Sequence, residues 1–214
     1  MFSIQYMRSV LPEDLTTRAR IRDAAIEVFG RTGFTTGVRA VATAAGVSPG
    51  LLNHHFGSKE GLRRACDEYV LSVVHDSKSA SLSNSPAGVI EQLAEIDRYA
   101  PTVAYIVRSF AAGGHLATEM FERMVDDAAA YLDEGVRSGK LVVSRDPAAR
   151  ARFLTRQSVG GMLLYIQMLP EGTDFTAAVR AMTDEVTLPA LELYTEGLFT
   201  DPDTLTAFLQ EKNR

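Results

Sequence analysis

Apolar residues recur along this chain at intervals of three and four, and almost nowhere at intervals of two. That period belongs to a one-sided α-helix rather than a strand. No stretch combines sustained alternation with β-branched enrichment, and no hairpin dipeptide joins two alternating runs. The one β-like piece, Leu141-Val142-Val143 between Gly139 and Pro147, reads as a loop. The expected fold is therefore all-α. A first helix starts at Thr16 or Thr17, either of which can cap it, and presents Ile21, Ala24, Ala25, Val28 and Phe29 on one face before Gly33 ends it. A short helix over Val38 to Ala45 stops at Gly46. Another starts at Ser48-Pro49, where serine caps and proline's missing N–H costs nothing. It ends near His55-Phe56-Gly57, and Ser58 caps a fourth helix reaching about Lys78.

Five serines between Ser77 and Ser85, followed by Pro86, mark a candidate boundary or surface loop. Beyond it the pattern predicts helices over Ala87 to Tyr99, Pro101 to Ala112, Leu116 to Ser138, Pro147 to Leu169 and Phe175 to Phe199. A short terminal helix starts at Asp201-Pro202. Gly113-Gly114-His115 reads as a flexible corner. The expected organisation is a flexible leader over 1–15, a three-helix helix-turn-helix unit over 16–64 and a larger helical unit over 65–214. The opening MFSIQYMRSV is too short and mixed for a secretory signal, and Met7 is an alternative translation start. No apolar run approaches the roughly 20 residues of a membrane span, so no membrane partner is expected. One cysteine, Cys66, permits no internal disulfide and fits a cytoplasmic protein.

Charge changes this picture. The 214 residues carry a net −5. Between Thr16 and Cys66, however, Arg18, Arg20, Arg22, Arg31, Arg39, Lys59, Arg63 and Arg64 face only Asp23, Glu27 and Glu60, which makes that segment +5 and leaves −10 for the rest. A compact basic unit on an acidic body suits a polyanion binder; the plainer reading is a chance cluster on a solvated face.

Within that unit, two short helices are joined by Ala45-Gly46-Val47-Ser48. Glycine supplies the positive φ of a sharp turn at low cost. Val38, Val41, Ala42, Val47, Leu52 and Phe56 can close a small core against the first helix. This is a helix-turn-helix, whose second helix enters the major groove. The stretch resembles the DNA-binding segment of the TetR/AcrR family over about residues 16 to 66. The resemblance rests on Val28-Phe29-Gly30, Gly33-Phe34, Val41-Ala42, Ala45-Gly46-Val47-Ser48, Leu52, His55-Phe56 and Ser58-Lys59-Glu60-Gly61-Leu62.

The resemblance implies that Arg39 and Lys59 hold phosphates and that Thr43, Ser48, Pro49, Gly50, Leu51, Asn53 and His54 face the groove. His55 matches a family position nearer the backbone and the unit's own core. Two departures stand out. Gly37 replaces the family's usual threonine at the start of the second helix, and Asn53 replaces the usual tyrosine on the recognition helix. Asn53 can bond adenine bidentately. Leu51 is equally a packing residue or a thymine-methyl contact. Lys59 is alternatively just solvated. His54 and His55 point about 100° apart on a helix with no carboxylate or thiol cluster, so no metal is expected.

One such unit is too small for selective binding, so a two-fold dimer on a pseudo-palindromic double-stranded operator is expected. Phe153 to Met168 is apolar around most of its circumference, with Gly160-Gly161 inside it, each costing about 1 kcal/mol of helix propensity. Their return is the close approach of another helix or a ligand. The next helix repeats Phe175, Ala178, Val179, Met182, Val186, Ala190, Leu193 and Tyr194, and Pro189 predicts a bend near Glu185. By resemblance these two helices pair with their symmetry mates, through Phe153, Gly160, Leu164, Met182, Val186 and Leu193. The alternative is that they only fill a monomer core.

The resemblance also implies a repressor released by an unidentified small apolar or amphipathic effector, with efflux or drug-response genes as targets. Candidate pocket residues are Tyr99, Tyr105, Phe110, His115, Met120, Phe121, Met124, Tyr131, Gln157, Met162 and Tyr165, joined by Met168. Such residues suit an adaptable cavity, although an aromatic or methionine at helical spacing is more often plain core. No cofactor is expected. An enzyme is disfavoured, because no serine elbow, HExxH, phosphate loop or metal-ligand cluster occurs. The acidic pairs Asp126-Asp127, Asp133-Glu134 and Asp184-Glu185 suit solvated faces. A helical adaptor that has lost DNA binding is the remaining alternative, prompted by Gly37 and Asn53.

Overall fold

The computed structural model describes residues 16–83 and 85–212. The expected leader lies outside the described residues. Ten α-helices and one 3-10 turn make up the described chain, with no strand among them. They are α1 (Thr17–Thr32), α2 (Val38–Ala44), α3 (Pro49–Phe56), α4 (Lys59–Ser83), α5 (Pro86–Ala94), the 3-10 turn Ile96–Tyr99, α6 (Ala100–Ala111), α7 (Gly114–Arg137), α8 (Pro147–Gln167), α9 (Phe175–Thr195) and α10 (Asp203–Lys212).

The starts follow the side-chain caps. Thr16 accepts from Ala19 N at 3.2 Å, Ser48 from Leu51 N at 3.1 Å and Asp146 from Ala149 N at 2.9 Å. Each satisfies one orphan donor of a first turn.

Three expectations change. Most of the serine-rich stretch is helical, because α4 runs through it to Ser83, and the boundary falls at its end, before α5 starts at Pro86. Ser81 Oγ donates to the Ser77 carbonyl at 2.9 Å and Ser79 Oγ meets His75 Nε2 at 3.3 Å, so these hydroxyls find partners on the helix itself. The segment expected as one helix over Ala87 to Tyr99 divides into α5 and the 3-10 turn. The helix expected to reach Phe199 ends at Thr195, just before Gly197 with φ +82°. Pro189 sits inside a continuous α9, where its missing N–H leaves the Glu185 carbonyl without that donor.

One core joins the N-terminal helices to the middle of the chain. Ile21, Phe29, Val41, Leu52, Leu62, Cys66 and Val70 from α1 to α4 are fully buried, and the same cluster includes Tyr105 and Ile106 of α6 and Met120 of α7. A second cluster holds Val125, Ala128 and Leu132 of α7 against Ala151 of α8. Each fully buried large side chain contributes about 1.5–3 kcal/mol. α6 lies so close on α1 that a Cβ added at Gly30 would stand 3.0 Å from Ala104 Cβ and 3.1 Å from Tyr105 N. Arg108 of α6 closes the other side, its Nε donating to the Gly30 carbonyl at 3.3 Å and its Nη2 to the Arg31 carbonyl at 3.4 Å. These are among the carbonyls the end of α1 leaves open.

Candidate nucleic-acid interface

α2 and α3 are joined by a turn built on Gly46, whose φ of +66° disfavours any side chain. Gly46 N donates to the Thr43 carbonyl at 3.1 Å and Val47 N to the Ala42 carbonyl at 2.9 Å, which fixes the angle between the helices. Leu52 and Phe56 bury the inner face of α3. Its outer face presents Ser48, Pro49, Gly50, Leu51, Asn53 and His54, all exposed. Thr43 and Arg39 are exposed on α2, where Thr43 Oγ1 donates back to the Arg39 carbonyl at 3.0 Å. Gly37 caps α2 in an extended conformation without a side-chain bond, and its surroundings are open.

The two remaining expected contacts sit differently. His55 is half-buried, and its carbonyl accepts from Arg18 Nη1 at 3.0 Å, while the Arg18 guanidinium lies 4.8 Å over the Phe56 ring. Lys59 is half-buried too, and its Nζ donates to the Phe34 carbonyl at 2.5 Å. Its cation therefore ties the start of α4 to the α1–α2 loop. The Gly61 of the motif has a steric reason: an added Cβ would run into the Phe56 carbonyl oxygen. Ser58 caps α4 by accepting from Gly61 N at 3.0 Å.

Charge counting hid a division of labour. Arg22 pairs with Asp23 at 2.7 Å and covers the Tyr69 ring at 3.5 Å, and Arg63 covers the Phe34 ring at 3.7 Å. These cations build the unit, whereas Arg20, Arg31, Arg39 and Arg64 are exposed. Burial pushes the Cys66 thiol up to about 12, so it is an inert core group. Among the described residues no three His, Cys, Asp or Glu side chains group as metal ligands.

Sequence reasoning missed the link to the body. Tyr105 Oη donates to Asp67 Oδ1 at 2.6 Å, tying α6 to α4, and Arg108 ties α6 to α1. Long-range pairs of this kind leave no local period. The candidate pocket residues are dispersed. Tyr105 and Met120 are buried in the main core, with Phe110, Met124 and Met162 packed against it. Phe121 and Tyr131 pack on the second core, Tyr99 and Tyr165 are half-buried, and His115, Gln157 and Met168 are exposed. A separate groove of about 580 Å³ between α4 and α7, lined by His75, Asp76, Arg123, Asp126 and Asp127, includes none of them. There His75 Nδ1 meets Asp127 Oδ1 at 2.5 Å. Of the candidate dimer residues, Phe153, Leu164, Val186 and Leu193 are exposed and Met182 is half-buried. Gly160 and Gly161 face open space, so the close approach expected of them is not made within the chain.

Comparison with known proteins agrees with this geometry. Residues 21–66 match the family of bacterial regulatory proteins described as the tetR family, and residues 97–200 match the tetracyclin repressor-like C-terminal domain. The chain is 55% identical over 199 residues to the HTH-type transcriptional regulatory protein RaaS of Mycobacterium tuberculosis, covering 92% of this chain and 94% of that one. It is 42% identical over 60 residues to the regulator UidR of Escherichia coli, which spans 28% of this chain and 31% of that protein. A crystal structure of a TetR-family regulator from Rhodococcus sp. superposes with a TM-score of 0.58 at 20% identity, over 80% of this chain and 97% of that one. A helix-turn-helix with its outer face exposed, carried on a helical body that matches along its length, is a DNA-binding regulator and not an enzyme: the chain belongs to the TetR family of transcriptional regulators.

Proposed function

We propose that the protein is a cytoplasmic homodimeric repressor that leaves its operator when a small apolar or amphipathic effector binds the helical body. The observation that carries this reading is the seating of α6. One face of α6 contacts α1 through Ala104 at Gly30 and through Arg108, and reaches α4 through Tyr105 and Asp67. Any effector that prefers a shifted α6 must move α1 and α4, and with them α3. The two recognition helices of a dimer then lose the spacing of one DNA turn, about 34 Å. Linkage makes the effect mutual, so operator and effector weaken one another's binding.

Arg39 on a phosphate and Thr43, Ser48, Gly50, Asn53 and His54 toward the bases form the proposed reading surface, and the exposed apolar face of α8 and α9 forms the proposed dimer contact. Efflux and drug-response genes are the proposed targets. Operator affinity measured with and without a panel of hydrophobic compounds tests the sensing step: a compound that binds the protein should lower operator affinity by at least about tenfold, which is about 1.4 kcal/mol of coupling. Saturating binders that never change operator affinity would refute it.

A further inference from the structure

We propose that α10 is an arm that packs on the second copy of this chain, and this rests on the dimer reading above. α10 places Leu205, Phe208 and Leu209 at intervals of three and one, a single apolar stripe. No residue of α10 is buried, and Phe208 is 64% exposed. A ten-residue helix without tertiary support is marginal in water, so this one needs a surface outside its own core. The segment leading to it is equally bare: Leu198 is 78% exposed and Phe199 71%.

Position says which surface. The buried residues of α9, Ala178 and Val179, lie in its first turns, and every residue from Leu191 to the end of α9 is exposed. The chain therefore leaves its own core before it reaches α10. It does so beyond Val186 and Leu193, the exposed residues of the dimer contact proposed above. Exposed apolar residues follow one another along the chain from Val186, Leu191, Leu193 and Tyr194 through Leu198 and Phe199 to Leu205 and Phe208. The connection over 196–202 reaches about 20 Å when extended, enough to cross a partner helix about 10 Å wide. Charge disfavours a lipid surface as the occupant. α10 carries one basic residue, Lys212 at its end, where an interfacial helix needs a basic face. The match to the family's C-terminal domain ends at residue 200, before α10 begins.

The test uses the full-length protein, with a photo-crosslinking amino acid at position 208 in a tagged chain mixed and re-equilibrated with untagged wild type. Dissociation is followed by sedimentation across dilution for wild type and for Phe208→Glu, a change at an exposed site that spares the monomer core. The proposal expects tagged-to-untagged adducts and at least about a tenfold weaker dimer for Phe208→Glu, since the symmetric contact is lost twice. A dimer that forms with adducts only within one chain, and with unchanged dissociation, overturns the arm and leaves the dimer reading standing. Adducts that appear only on added anionic phospholipid vesicles overturn it in favour of a membrane surface. A wild-type protein that stays monomeric at micromolar concentration overturns both.

Discussion

Tyr105 Oη donates to Asp67 Oδ1 over 2.6 Å, and this bond fastens the helical body to the helix that leaves the DNA-binding unit. Burial lifts the Asp67 carboxyl above the usual aspartate range, outweighing the lowering by Tyr105 and Arg63. The folded chain thus holds that proton more tightly than the unfolded chain. Its stabilising contribution is present below the unfolded value and is lost as pH rises through the folded one. Asp67→Asn abolishes the titration while keeping an acceptor for Tyr105. Its melting temperature should gain on wild type as pH goes from about 4 to about 7. Tyr105→Phe leaves the carboxyl without its donor and should cost about 1–3 kcal/mol in urea denaturation at neutral pH.

Gly30→Ala tests the contact between α1 and α6. Its methyl would press on Ala104 and on the backbone at Tyr105, and overpacking of this kind costs about 1–3 kcal/mol. Chemical denaturation should show that loss. Because the strain falls on the seat of α6, operator affinity should drop as well.

Gly37→Thr should move the other way. Position 37 has an extended backbone and open surroundings, and a threonine there can cap α2. The stability gain over glycine is a few tenths of a kcal/mol. The larger effect is expected in DNA affinity, from a hydroxyl able to meet a phosphate at the helix start. Fluorescence anisotropy with a fixed duplex checks it, and unchanged affinity would remove Gly37 from the phosphate contacts.

Arg39 and Lys59 separate in a salt titration. Arg39→Ala removes an exposed cation and should reduce the slope of log affinity against log salt by about one. Lys59 is held on the Phe34 carbonyl. Lys59→Met should lower stability by about 1 kcal/mol and leave the salt slope near that of wild type.

The helix-turn-helix was legible because its signals are local. Ser48-Pro49 starts a helix, Gly46 turns one, and Leu52 and Phe56 repeat on one face. The serine stretch misled because serine favours loops in general, whereas Ser81 here bonds back onto α4. Tyr105 and Met120 were grouped with the pocket candidates on side-chain type alone. Their burial in a core shared with α1 and α4 depends on packing between segments that bond across separations of 38 to 78 residues, which no periodicity records. Likewise the count of basic residues could not separate the exposed Arg39 from Arg63, which lies on the Phe34 ring.

Selective DNA recognition by α3 is decided by one titration. The affinity of the full-length protein for the DNA upstream of its own gene is compared with that for a scrambled duplex of equal composition, at matched salt. A preference of about a thousandfold or more is expected, and Asn53→Ala should erode it by about 1–3 kcal/mol at the base it reads. Equal affinity for both duplexes, falling in parallel as salt rises, would contradict the account.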